Sequence, residues 1–109
     1  MTANLQWIRD AFCSRTYLFT TTGLMKLLKK GLSEADLEAA ICEDAPEIVE
    51  DYPDDLRGPA CLVLGWPGPV QPLHILVGYG TSQDVTIDVI TAYVPESPDW
   101  YNPRMRSRR

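Results

Sequence analysis

Apolar positions recur at helical spacing in the first 45 residues, whereas those from 47 to 95 fall into short runs separated by turn residues. Leu5, Ile8 and Phe12 stand three and four apart, which predicts an amphipathic helix over 4–13 with Trp7 beside its stripe. Residues 17–19 read as extended chain or a short strand. Thr20 to Thr22 offer an N-cap for a second helix, with Leu24, Leu27 and Leu28 along one side and Lys26, Lys29 and Lys30 along the other. Gly31 ends it, because glycine reaches the left-handed conformation past a helix C-terminus without steric cost. Ser33 and Asp36 have capping-box spacing, and Leu32 and Leu37 sit where a hydrophobic staple would. They open a third helix, buried along Leu37 and Ile41 and stopped before Pro46.

The second half reads as strands. The runs are 47–52, 61–66, 73–79 and 85–94, divided by Pro53-Asp54-Asp55, by Pro67-Gly68-Pro69 and by later turn residues, and closed by Pro95. In the third run Leu73, Ile75, Val77 and Tyr79 share one face, and His74, Leu76 and Gly78 the other. Short connections predict antiparallel neighbours with the helices on one side. The expected fold is α+β: two or three N-terminal helices packed on one face of a four-stranded, mainly antiparallel sheet. Residues 1–109 form one domain, with a helical part (1–45), a sheet (47–95) and an extended basic tail (96–109) pinned by Trp100 and Tyr101.

Composition narrows the picture. A chain of 109 residues that is 45% hydrophobic and 23% charged suits a single globular domain. No apolar run approaches the ~20 residues of a membrane helix, and the first residues lack a signal-peptide pattern. The expectation is a cytoplasmic protein with no membrane contact. The cysteines at 13, 42 and 61 are odd in number and widely spaced, which predicts small buried thiols rather than a disulfide framework or a metal site. Net charge is −5, unevenly spread: residues 34–55 hold ten acids and no Lys or Arg, while lysines cluster at 26, 29 and 30 and arginines at 104, 106, 108 and 109. Such a distribution is either a solvated acidic face with a basic tail, or a basic lobe able to meet a polyanion.

Chemistry-bearing motifs are few. There is no phosphate-binding glycine loop, no H-E-x-x-H and no nucleophile elbow, so no metal or cofactor is expected. His74 is the chain's one histidine. On a strand it is either a structural core residue or the general acid/base that RNA cleavage requires. Lysines from the second helix and arginines from the tail would then stabilise phosphoryl charge. Tyr93 on the last strand could supply a proton or a stacking face.

Residues 17–106 resemble a bacterial family known only as a domain of unknown function. Its pattern runs close to Y-x-F-S-x-H-A-x-x-R, then Y-P-D-D-x-R-G-x-x-C-L-V-L-G, P-x-H-V-V, I-I-T-V-Y-x-P and P-x-W-x-x-P-R-x-R. The matching residues are Tyr17, Phe19, Leu32-Ser33 (against an I-S that follows the first motif), Tyr52 to Asp55, Arg57-Gly58, Cys61 to Gly65, Pro72, His74, Ile90 to Pro95, Trp100, Pro103, Arg104 and Arg106. The family in turn resembles the RelE and MqsR toxins, small α+β ribonucleases that cleave messenger RNA without a metal. The resemblance implies a RelE-like architecture, an endoribonuclease activity, and a cognate antitoxin of zinc-finger or helix-turn-helix type. By that likeness the positions of Thr22 and Lys26, together with His74 and the tail arginines, form the RNA site. With the residue reading added, catalysis falls to His74, Lys26, Tyr93 and Arg104, and RNA binding to Lys30, Arg106 and Trp100. The chain departs from the pattern at two points. The family's first histidine falls on Thr22 and its following arginine on Lys26, which implies weakened or lost turnover.

Two readings therefore stand: a toxin-type, metal-independent endoribonuclease, and a non-catalytic protein-interaction module. A solvent-reachable His74 beside Lys26 and Arg104 favours the first. A His74 sealed beneath the third helix favours the second.

Overall fold

A computed structural model describes residues 3–43, 45–56, 58–68, 71–79, 86–95 and 100–106. Three short helices lie in the first part: α1 (Leu5–Cys13), α2 (Thr21–Lys29) and α3 (Glu34–Glu38), the last continued by a π-helical turn, Ala39–Glu43. The strands are β1 (Leu18–Phe19), β2 (Glu47–Tyr52), β3 (Ala60–Gly65), β4 (Leu73–Gly78) and β5 (Asp88–Tyr93), followed by β6 (Trp100–Asn102) and β7 (Met105–Arg106). The main sheet has the order β1-β5-β4-β3-β2, with β1 parallel to β5 and every other pair antiparallel.

The helix boundaries follow local chemistry. Asn4 caps α1 by accepting from the Trp7 backbone N–H at 3.0 Å, and Thr20 caps α2 by accepting from Gly23 N–H at 2.9 Å. Gly31, at φ 71°, closes α2: its N–H reaches Leu28 O at 3.1 Å, and that of Leu32 reaches Leu27 O at 3.0 Å. This 5→2 and 6→1 pair saturates carbonyls the helix leaves open. Ser33 and Asp36 make the reciprocal capping box, Asp36 N–H to Ser33 Oγ at 3.2 Å and Ser33 N–H to Asp36 Oδ2 at 2.9 Å.

Strand alternation divides the sheet into two faces. Leu73, Ile75, Val77 and Tyr79 join Cys61, Val63, Val89 and Ala92 in one buried cluster with Ile8, Phe12, Leu27, Leu37 and Ile41 from the helical part. Phe12 and Tyr17 stack there with ring centroids 4.4 Å apart. Polar groups sit at the rim of this core. Tyr17 donates to Glu38 at 2.7 Å and Tyr79 to Asp51 at 2.8 Å. Burial and then the carboxylate partner push both phenols upward. Burial, with the charge of Asp51 second, pushes the Cys61 thiol up to about 12.

Three sequence expectations change. The sheet has five strands rather than four, because Leu18 N–H and Thr20 N–H bond to Ile87 O and Val89 O and add β1 to the edge of β5. Residues 100–106 form a two-stranded hairpin. Cys13 and Cys42 are joined by a disulfide with their Cα atoms 5.6 Å apart, leaving Cys61 free and buried. Packing of α1 on the π-helical turn brings these cysteines together, aided by an Arg9 guanidinium that donates to Cys42 O at 2.8 Å. Nothing in their separation along the chain signals this.

β1 is only two residues long, and α2 takes over the edge of β5 where β1 stops. A side chain at Gly23 would collide with the carbonyl oxygens of Val89 and Ile90, so the helix axis lies close against the strand. That closeness carries Lys30, at the far end of α2, to the end of β5.

Candidate functional site

His74 faces away from the helices, on the sheet face that α1 and α3 leave uncovered. Strand register lines up Glu47, Leu64, His74 and Tyr93 across β2, β3, β4 and β5, so alternation places these four side chains on that same face. The β6–β7 hairpin closes over this row. Pro103 O lies 2.7 Å from His74 Nε2, and Arg104 forms an ion pair with Glu47. Asn102 Oδ1 accepts from Arg104 N–H at 2.8 Å and shapes the turn between the two strands.

His74 is fully buried. Its Nδ1 is 3.2 Å from the Tyr93 hydroxyl, and the two rings meet edge to face at 5.3 Å. The partners define the tautomer. A carbonyl only accepts, so Nε2 carries the proton and donates to Pro103 O. In the neutral imidazole Nδ1 is then the acceptor, and Tyr93 O–H donates to it. The result is a directed chain, Tyr93 Oη–H to His74 Nδ1 and His74 Nε2–H to Pro103 O. Tyr93 is half-buried, so the phenol stands nearer solvent than the imidazole behind it.

Cations flank the row. Lys30 Nζ lies 5.3 Å from the centre of the Tyr93 ring and 3.4 Å from Ala92 O. Lys26 is exposed one turn earlier on the same helix, and Thr22, also exposed, lies in the first turn. At the other end the Arg104 guanidinium, largely exposed, is held by Glu47. The structure thus joins His74, Tyr93 and Lys30 directly, and brings Arg104 to the same face through the hairpin. The backbones of Trp100 and Arg106 belong to β6 and β7; their side chains lie outside the described residues. No group of three or more potential metal ligands occurs among the described residues.

Two participants escaped sequence reasoning. Glu47 reads as one more acid of the acidic run. The Pro103 carbonyl carries no side-chain signal at all. Glu47 was recoverable from strand alternation, since it opens β2 on the same face as His74; a long-range carbonyl contact was not.

Next to this row, the open half of the same face holds a groove of about 560 Å³. Its floor is made by Ala60, Leu76, Gly78 and Ile90, with Asp55 and Asp88 among the lining residues. The small residues Ala60 and Gly78, paired across β3 and β4, leave the recess.

A family model described as Domain of unknown function (DUF4258) matches residues 19–94, and the chain belongs to that family. The match runs from β1 to just past β5. It includes Lys30, Glu47, His74 and Tyr93 and leaves α1 and the β6–β7 hairpin outside. No curated protein and no solved structure matches the chain.

Proposed function

We propose that this chain is a toxin-type, metal-independent endoribonuclease of a bacterial toxin–antitoxin pair, weakened by the loss of a histidine at position 22. The observation that carries this reading is the hydrogen bond from a half-buried tyrosine to a buried imidazole, with a lysine ammonium beside the phenol. Tyr93 is the group that meets RNA, and His74 is the base behind it.

In the reaction, Tyr93 Oη takes the proton of a ribose 2′-hydroxyl as its own proton passes to His74 Nδ1. The 2′-oxygen bonds to the adjacent phosphorus and the bond to the 5′-oxygen breaks, leaving a 2′,3′-cyclic phosphate. The proton held by His74 returns through Tyr93 to the leaving 5′-oxygen, so protons balance over the cycle. Lys30, Lys26 and Arg104 stabilise charge on the phosphoryl oxygens, and Arg106 and Trp100 bind the flanking RNA. Thr22 cannot exchange a proton at neutral pH. A missing acid/base group there costs roughly 10²–10⁴ in rate. The protein partner in this reading is an antitoxin of zinc-finger or helix-turn-helix type, and the compartment is the cytoplasm.

The burial of His74 favours a second reading. An imidazole sealed under a hairpin, with both ring nitrogens engaged, is also what a structural strut in a non-catalytic interaction module looks like.

Expression of wild type, Tyr93→Phe, His74→Ala and Thr22→His in bacteria separates the two. The nuclease reading expects transcript cleavage with cyclic-phosphate ends, strongest for Thr22→His and lost in Tyr93→Phe. Intact transcripts and equal growth for wild type and Thr22→His would overturn it.

A further inference from the structure

The outer side of α2 is apolar where a helix on a protein surface is ordinarily polar. Leu24, Met25 and Leu28 are 42%, 65% and 68% exposed, and Leu18 on the adjoining β1 is 58% exposed. At 100° per residue, Leu24, Leu28 and Met25 span an arc of about 100° on the helix. Gly23 and Leu27, which seat the helix, lie off that arc and are buried. The sequence pattern did not show this, because it grouped Leu24, Leu27 and Leu28 along one side of the helix. The close approach at Gly23 turns the helix so that only Leu27 enters the core.

Lysines edge the stripe. Lys29 and Lys26 follow Met25 around the helix, both exposed, and α2 contains no acid. A contiguous apolar face with a cationic margin marks an interaction surface rather than a solvated one.

We propose that the outer face of α2 docks an acidic amphipathic segment of a partner protein, with apolar anchors on Leu24, Met25 and Leu28 and carboxylates against Lys26 and Lys29. Charge complementarity selects this occupant. A second copy of α2 would set lysines against lysines. A bilayer of anionic lipid would meet a chain of net charge −5, most of whose acids lie in the segment 34–55. The acidic segment satisfies both the stripe and its margin, the helix-in-groove and helix-on-face mode of peptide capture. The surface shares Lys26 with the proposed RNA site but not Tyr93 or His74, and it rests on no catalytic claim.

The test is a selection on the immobilised full chain from a displayed library of amphipathic helices with leucines at i, i+3, i+4 and i+7 and either Glu or Lys at the flanking positions. Enrichment of Glu over Lys by at least tenfold is expected. A synthetic peptide of the winning sequence should bind at least tenfold more weakly to Met25→Glu, Leu28→Glu and Lys29→Glu chains whose circular dichroism matches wild type. Its affinity should also fall with salt. Enrichment of Lys, no enrichment, or binding indifferent to these substitutions would overturn the proposal. So would dimerisation of the free chain lost on Leu28→Glu, or tighter binding to phosphatidylglycerol vesicles than to the peptide.

Discussion

The two faces of the sheet solve burial in opposite ways. On the helix side the centre is apolar, and polar groups such as Tyr17–Glu38 and Tyr79–Asp51 are confined to the rim. On the hairpin side the polar group is at the centre: His74 is fully buried, and its partners are a tyrosine hydroxyl and a backbone carbonyl. Neighbouring residues of one strand thus belong to different regimes. Ile75 contributes hydrophobic burial, which is tolerant of direction. His74 contributes hydrogen bonds, which hold only when each partner is in place. The lesson is that apolar burial dominates one side, whereas the other adds directional hydrogen bonds at its centre to the burial of Leu62 and Leu64.

Substitutions can break that contrast in descending order of effect. Ile75→Ala should cost about 2–5 kcal/mol in denaturant unfolding, the largest loss of the set; a smaller loss than that of His74→Ala would refute the division between faces. Cys13→Ser should lower stability by about 3–4 kcal/mol for a loop of this length under oxidising conditions, and by almost nothing after reduction by dithiothreitol. His74→Ala should cost about 1–3 kcal/mol, and hydrogen exchange should show the amides of residues 100–106 losing protection before those of β3 and β4.

Alkaline titration sharpens the contrast through Cys61 and the two rim tyrosines, whose acidity is suppressed in the fold. The unfolded thiol ionises near its ordinary value of 9.0, whereas the folded one waits until about 12. Stability from this group is full below pH 9 and is lost as pH rises toward 12, about 1.4 kcal/mol by pH 10. A flat denaturant midpoint between pH 8 and 10.5 would contradict the suppressed ionisation. Arg104→Ala should be the mildest, within about 0–1 kcal/mol because its ion pair is exposed, with salt erasing the difference.

Legibility in the sequence followed the range of the interaction. The capping box at Ser33–Asp36, the glycine stop at Gly31, the bounds of β2 and the two-sided reading of β4 all rest on neighbours within a few residues, and each is present in the structure. β1 joining β5, the Cys13–Cys42 pair, and the Pro103 contact join segments distant in the chain, where local pattern carries no information. At the site, alternation correctly put His74 opposite the apolar residues of β4. It gave no hint that a hairpin would cover the imidazole and leave Tyr93 nearer solvent. The same limit applies to α2, whose three leucines read as one side of the helix, whereas the close approach at Gly23 sends only Leu27 into the core.

The seat of α2 on β5 carries a consequence for how the molecule assembles. β2, β3 and β4 form a meander of sequential neighbours and can collapse early, since each turn closes a short loop. α2 has no such local partner: its contacts with Val89, Ile90 and Ala92 require closing a loop that spans most of the chain. That entropic debt falls due before the reward of packing, which slows folding in chains rich in distant contacts. A fragment ending at Tyr79 would therefore keep the meander yet leave α2 undocked, with Leu27 as bare to water as Leu28.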